Sequence, residues 1–150
     1  MSDASFGLSK FNSAKELELM AKHLVPDKIL PFGDLQVVEV YSYYDGPRLF
    51  SLYSKSKDLY LIAIAVDENE ESGDLTFLYL PLLPKDFEAV SNNKRDLHDT
   101  FKFSKGGTVW IVTSAYSDSP LAEERAVNGI PKEWLPSPEA FLGESIPELE

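Results

Sequence analysis

The stretch Tyr41–Phe50 (YSYYDGPRLF) brings together the side chains of this chain that are best suited to holding a ligand or partner. Aromatic rings stack on flat ligands, and an arginine forms paired hydrogen bonds with a phosphate or a carboxylate. The candidate binding residues are Tyr41, Tyr43, Tyr44, Asp45 and Arg48. Asp-Gly between apolar runs predicts a hairpin turn, which Pro47 widens because proline has no N–H to donate. Turn chemistry alone also accounts for these residue types, so a purely structural role stays open.

A second candidate is the acidic segment 67–74 (DENEESGD), which holds five of the 25 carboxylates and no basic residue. Its members are Asp67, Glu68, Glu70, Glu71 and Asp74. Carboxylate clusters can bind Ca²⁺, but this segment lacks the D-x-[DN]-x-[DN]-G order of a calcium loop. We therefore predict a solvated hairpin connection, whose charge suits a basic protein partner.

Little in the sequence indicates catalysis. Asp96, His98 and Asp99 form the one compact carboxylate–histidine group, and a short surface helix would contain the same residue types. The chain has no cysteine and two histidines, which excludes thiolate chemistry and leaves little for a metal site. Neither G-x-S-x-G nor G-x-G-x-x-G occurs. We expect a non-enzymatic protein with no metal and no cofactor.

The elements that must position these residues follow from hydropathy patterns. Apolar residues at spacings of three and four predict a helix over Asn12–Leu24, which would place His23 at its end. Runs rich in β-branched and aromatic residues predict five strands, at Leu35–Tyr44, Arg48–Ser54, Asp58–Asp67, Leu75–Leu83 and Gly106–Thr113. Proline followed by acidic residues predicts a helix over Pro84–Asn93, and Arg95–Lys102 predicts a further helical turn.

These elements predict an α+β fold with a mostly antiparallel sheet of about five strands, an N-terminal helix and short helices after strand four. Three segments are expected: an N-terminal helical segment (1–30), a sheet domain (31–115) and an acidic, proline-rich C-terminal segment packed on the domain (116–150). The net charge of −11 argues against binding nucleic acid. No apolar run is long enough to cross a membrane and no signal peptide is evident, so we expect a cytoplasmic protein that binds no membrane.

The runs YSYYDGPRLF, LYLIAIAVDE, FLYLPLL and DLHDTF together resemble an uncharacterised bacterial domain family with a VYxYYDGPRLF signature. The resemblance covers about Pro31–Thr113, and Trp134–Pro136 is similar to a downstream element. It implies one compact domain of bacterial or phage origin and supplies no mechanism. Small domains of this kind often sit among toxin–antitoxin, immunity or phage-defence genes.

Three hypotheses about function follow, in addition to an enzyme with a carboxylate–histidine site around Asp96, His98 and Asp99, which stays open as a further alternative. The leading one is an interaction protein, antitoxin-like or immunity-like or related to phage defence, that binds a basic protein partner through its acidic groups. A nucleotide or small-molecule sensor would instead use the aromatic and arginine residues of the turn. A DNA mimic of anti-defence type is kept open by the total charge alone. The sequence does not indicate an oligomeric state.

Overall fold

The computed structural model describes residues 30–43, 47–113 and 120–142, with the side chains of residues 42, 43 and 47 left out. The helix predicted over Asn12–Leu24 lies outside these residues. Within them, the predicted mostly antiparallel sheet is confirmed, and short helices accompany it, which agrees with the predicted α+β class.

In the described part of the chain, six antiparallel strands form a meander in which each strand pairs with the next one along the chain. They are β1 (Leu35–Tyr43), β2 (Pro47–Ser54), β3 (Leu59–Glu68), β4 (Leu75–Leu82), β5 (Thr108–Thr113) and β6 (Leu121–Ala126). The predicted count of five strands is wrong. The sixth strand, LAEERA, is charged and poor in β-branched residues, so its sequence pattern does not predict a strand. It is a strand because it pairs with β5 at six positions.

The sheet is covered on both faces, as the apolar character of β3 predicts. Leu61 and Ala63 point to one face, which we call the first face, and Ile62 points to the opposite, second face. All three residues are completely buried. Because a strand exposes alternate side chains to opposite faces, a continuous apolar run fits only a sheet with a core on each side.

The first face is filled by aromatic rings from the central strands. Phe50 packs edge-to-face on Phe77, with ring centroids 5.9 Å apart, and on Tyr79 at 6.4 Å. Phe32, just before β1, adds an edge-to-face contact with Trp110 of β5. Rings in this orientation bring the positive edge of one to the negative face of another.

The second face is covered by two helices and the described part of the C-terminal segment. The helices are α1 (Pro84–Ser91) and α2 (Leu97–Thr100), and a 3₁₀ turn at Phe101–Phe103 follows α2 directly. Phe87 of α1 stacks flat on Tyr60 of β3, with centroids 4.2 Å apart. Downstream of β6, Ile130 and Leu142 are buried in this second core.

Bulges alter the faces of β1. Strict alternation predicts Val38 and Val40 on one face, yet Val40 is buried with Leu35 in the first core while Val38 is 47% exposed. The pairing with β2 shifts register between Val37 and Glu39, and an extra residue in a strand moves every later side chain to the other face. The alternation prediction for β1 is therefore wrong for Val40, which joins Leu35 in the first core, and for Tyr41, which packs against the second core.

Candidate functional site

The meander brings three strand connections to one end of the sheet. β1 ends and β2 begins there, as do β3 and β4, and β5 and β6. The two candidate sites of the sequence, near Arg48 and in segment 67–74, are thus neighbours although about twenty residues separate them. We call this end of the sheet, where the three connections lie, the acidic end.

The acidic connection between β3 and β4 is an ordered turn organised by Asn69. Its side-chain oxygen accepts hydrogen bonds from the backbone N–H groups of Glu71 (2.9 Å) and Ser72 (3.0 Å). Its own backbone bonds with Asp74 and with Gly73 close the loop. An asparagine that bonds to nearby backbone holds a turn without help from the acidic side chains. The side chains of Asp67, Glu68, Glu70 and Glu71 are accordingly exposed, and Asp74 is partly buried.

One ion pair joins the two candidate sites. Arg48 Nη1 lies 3.6 Å from Glu68 Oε1. The arginine side chain is 20% exposed and the glutamate side chain 51% exposed, so the cation is embedded while the carboxylate faces solvent. The potential that an approaching molecule meets at this point is therefore set mainly by the carboxylates of the loop.

Arg48 also lines a groove on the second face, with a volume of about 340 Å³. The floor is formed by Leu49 of β2 and by residues 64–66 of β3. Leu97 of α2 and the C-terminal segment around Trp134 form the opposite wall. We call this feature the Trp134 groove. Most of its lining is apolar, and Glu133 joins Arg48 as a charged lining residue.

Tyr41 does not line this groove. It is partly buried against the second core, and its hydroxyl forms a 3.0 Å hydrogen bond with Ser51 Oγ. Burial raises the pKa of Tyr41 to about 12, helped by the charge of Glu39 and opposed by the Ser51 bond. The phenol is therefore protonated at neutral pH and occupied within the fold.

The structure describes the remaining candidate residues of this turn only in part. Tyr43 closes β1 opposite Pro47, and its side chain lies outside the described part of the chain. Tyr44 and Asp45 lie outside the described residues altogether. Of the predicted site residues, the structure thus brings Arg48 and Glu68 into contact and places the other acidic-loop side chains at the same end.

Two side chains of the carboxylate–histidine group, Asp96 and His98, bind backbone, whereas the Asp99 carboxylate pairs with Lys102 at 3.0 Å. Asp96 caps α2 by accepting the Asp99 N–H at 2.7 Å, and it also accepts the Glu139 N–H at 2.8 Å. These two bonds, in that order, hold the pKa of the Asp96 carboxyl below its usual range. His98 Nδ1 donates to the carbonyl of Pro136 at 2.8 Å, since a carbonyl oxygen can only accept.

The group therefore fastens the C-terminal segment to α2. The Leu97 N–H reinforces the attachment by donating to the Ala140 carbonyl at 2.7 Å. Among the described residues no cluster of three or more His, Asp or Glu side chains is arranged to hold a metal ion. Side chains already committed to backbone partners are poor candidates for acid–base work, because that work needs a group open to substrate.

Sequence reasoning missed the Trp134 groove. Its walls come from four segments that are distant in sequence, so no local motif contains it. The available signal was the aromatic and apolar content of a proline-rich segment, which predicts packing on the domain without predicting where.

The fold and this site define an α+β domain, a six-stranded antiparallel meander with one acidic end and an apolar groove beside it. The chain belongs to a family of unknown function (DUF6575), whose model matches residues 22–141. The resemblance to an uncharacterised domain family is thereby confirmed. No curated protein and no solved structure matches the chain. In the described part, no helix is long and apolar enough to span a membrane.

Proposed function

We propose that this protein is a non-enzymatic interaction domain that binds a basic protein partner at the acidic end of its sheet. The observation that carries the proposal is the end of β3 with the ordered turn after it, where Asn69 fixes the backbone and the carboxylates of Asp67, Glu68, Glu70 and Glu71 face solvent. A rigid loop presents its charges in one arrangement, so association loses less conformational entropy than it would with a mobile acidic tail.

The charge of the whole chain supports the same proposal. A net charge of −11 repels nucleic acid and accelerates encounter with a positively charged surface. Proteins with such a surface include enzymes that act on nucleic acid. Within this proposal, an antitoxin-like or immunity-like role, in a bacterial or phage setting, corresponds to covering the basic surface of such an enzyme.

The test begins with purification from the native host at low salt, followed by native mass spectrometry to identify a bound protein. Its association is then measured with wild type and with the Glu70→Gln/Glu71→Gln variant at low and at high salt. We expect the variant to associate several-fold more slowly and with a weaker salt dependence, because steering charges act mainly on the association rate.

The matched control is Asp34→Asn/Glu88→Gln, which removes the same number of exposed carboxylates away from the acidic end. We expect this variant to associate at nearly the wild-type rate. Equal effects of the two variants would show that net charge matters and the loop does not, and the proposal would then be wrong.

A small-molecule or nucleotide sensor is the second candidate, favoured by the Trp134 groove, whose volume falls within the range of ligand sites. Arg48 is the group that would bind a phosphate, and it already pairs with Glu68. A ligand that binds would raise the melting temperature of the wild type in a nucleotide panel. Loss of that rise in Arg48→Ala would establish the sensor, and a flat panel would remove it.

A further inference from the structure

The Trp134 groove and the acidic loop lie at the same end of the sheet and share one ion pair. Glu68 contacts Arg48, which is itself part of the groove lining. A partner that meets the exposed carboxylates of the loop is therefore also positioned over the groove. The groove thus combines an apolar floor with charged residues at its border.

The floor suits an apolar side chain. Leu49, Ile64 and Val66 come from the sheet, and Leu97 and Trp134 face them from the opposite wall. Trp134 is partly buried, which leaves part of the indole open to a ligand. Tryptophan is among the residues that contribute most to binding when a partner covers them.

The border suits a cation more than an anion. Glu133 lies in the groove lining, and Glu68, whose side chain is 51% exposed, pairs with Arg48 of the same lining. Among the described residues that line the groove, Arg48 is the one basic residue, and its charge is offset by Glu68. An anionic ligand would approach several carboxylates before it reached one embedded guanidinium, whereas a lysine or arginine would be attracted throughout.

The wall of the groove is held in place before anything binds. Three hydrogen bonds attach residues 136–140 to α2, through Asp96, His98 and the Leu97 backbone. Leu142 is completely buried just beyond them. A preformed groove binds more tightly than one that must assemble, because the cost of ordering its wall is already met in folding.

We propose that the Trp134 groove receives a large apolar side chain from the basic partner, which presents that residue between lysines or arginines. This inference rests on the proposed function and narrows it, because it states the chemistry of the segment that the partner inserts. The apolar residue supplies affinity in the groove, and the flanking cations pair with the exposed carboxylates at its border.

The test uses the full chain and three synthetic seven-residue peptides, measured by fluorescence anisotropy. One peptide has a tryptophan between three lysines on each side, the second replaces the tryptophan with serine, and the third replaces the lysines with glutamates. We expect the first to bind at least about tenfold more tightly than the second, a difference of about 1.4 kcal/mol. The third should not bind.

Two variants locate the site. Ser137→Trp places a bulky ring at an exposed position of the lining, where the core is undisturbed. It should remove the difference between the tryptophan and serine peptides while leaving their salt-dependent binding. Trp134→Ala should act in the same direction, with its melting temperature measured to verify folding. Glu70→Gln/Glu71→Gln should weaken both lysine peptides alike.

The outcomes separate this inference from the proposed function. Equal binding of the tryptophan and serine peptides, both weakened by the loop variant, would overturn the groove inference and leave the acidic-end proposal standing. If the peptide with glutamates bound as tightly as the peptide with tryptophan and lysines, the inference that the partner presents cations beside the groove would be overturned. An undiminished tryptophan preference in Ser137→Trp would place the apolar contact elsewhere and would also overturn it.

Discussion

Asp96 is a side chain that joins two described parts of the chain far apart in sequence. Its carboxylate accepts N–H groups from Asp99 and from Glu139, which lie 3 and 43 residues away. Protonation of Asp96 would remove the negative charge that its two carboxylate oxygens share and would weaken both hydrogen bonds. Since these bonds lower the pKa of the folded carboxyl, the stability they supply is present above the unfolded pKa and is lost as pH falls through the folded pKa.

We expect Asp96→Ala to lower the free energy of unfolding at pH 7 and to lose less further stability on acidification than wild type does, because this one titrating contribution is gone. Hydrogen exchange should accelerate at the Asp99 and Glu139 amides. The control is Asp99→Asn, which removes an exposed ion pair with Lys102 and leaves both backbone bonds in place. The prediction is contradicted if wild type and Asp96→Ala lose stability in parallel below pH 5.

The segment before β1 approaches the turn between β2 and β3 closely at Gly33. Gly33 has φ +73°, and a Cβ atom there would lie 2.5 Å from Ser56 Oγ in the turn between β2 and β3. That hydroxyl donates to the Phe32 carbonyl at 3.2 Å, so it cannot rotate away without losing a bond. Gly33 therefore lets Leu30 and Phe32 reach the first core.

We expect Gly33→Ala to destabilise the protein more than Gly73→Ala does. Gly73 has φ +79° and open space around it, so alanine there meets only the left-handed backbone cost, about 1–2 kcal/mol. Gly33→Ala adds the lost hydrogen bond, a further ~0.5–1.5 kcal/mol. Chemical denaturation of the two variants checks the difference. Equal losses would show that the Ser56 contact has no energetic weight.

For the molecule as a whole, the dominant long-range force is repulsion among its own carboxylates. The net charge is −11, and four exposed acidic side chains of segment 67–74 are concentrated at one end of the sheet. Self-repulsion destabilises a compact state, and salt screens it, since the Debye length falls from about 30 Å at 0.01 M to about 8 Å at 0.15 M.

We therefore expect the melting temperature to rise by about 2–4 °C between 0.01 M and 0.15 M sodium chloride, which corresponds to about 1 kcal/mol for a chain of this size. Glu70→Gln/Glu71→Gln should melt higher than wild type at low salt and show a smaller rise. Calorimetry at both salt concentrations measures this directly. A melting temperature that is constant or falls with salt would contradict the prediction.

Much of the fold was predictable because it depends on local pattern. The five central and flanking strands follow from apolar runs, and α1 follows from proline and acidic residues in its first turn. The position of the acidic loop between β3 and β4 was likewise predictable from turn residues between two strands. In each case the signal lies within about ten residues, and short-range sterics and burial decide the outcome.

Other features depend on contacts that no local pattern contains. β6 is a strand because β5 offers it a ladder of partners, and Val40 changes face because β1 carries a bulge. Asp96 and His98 look like a reactive pair in the sequence, and a backbone segment about forty residues away makes them an anchor.

The sequence by itself determined the family, the two-faced sheet and the concentration of charge, since each of these resides in composition or in short periodic patterns. Only the tertiary structure decided that Arg48 and Glu68 meet and that Trp134 closes a groove beside them. The physical reason is that a groove is a property of the space between elements. Its shape depends on how the C-terminal segment packs across the sheet, which is set by the sum of many weak long-range contacts.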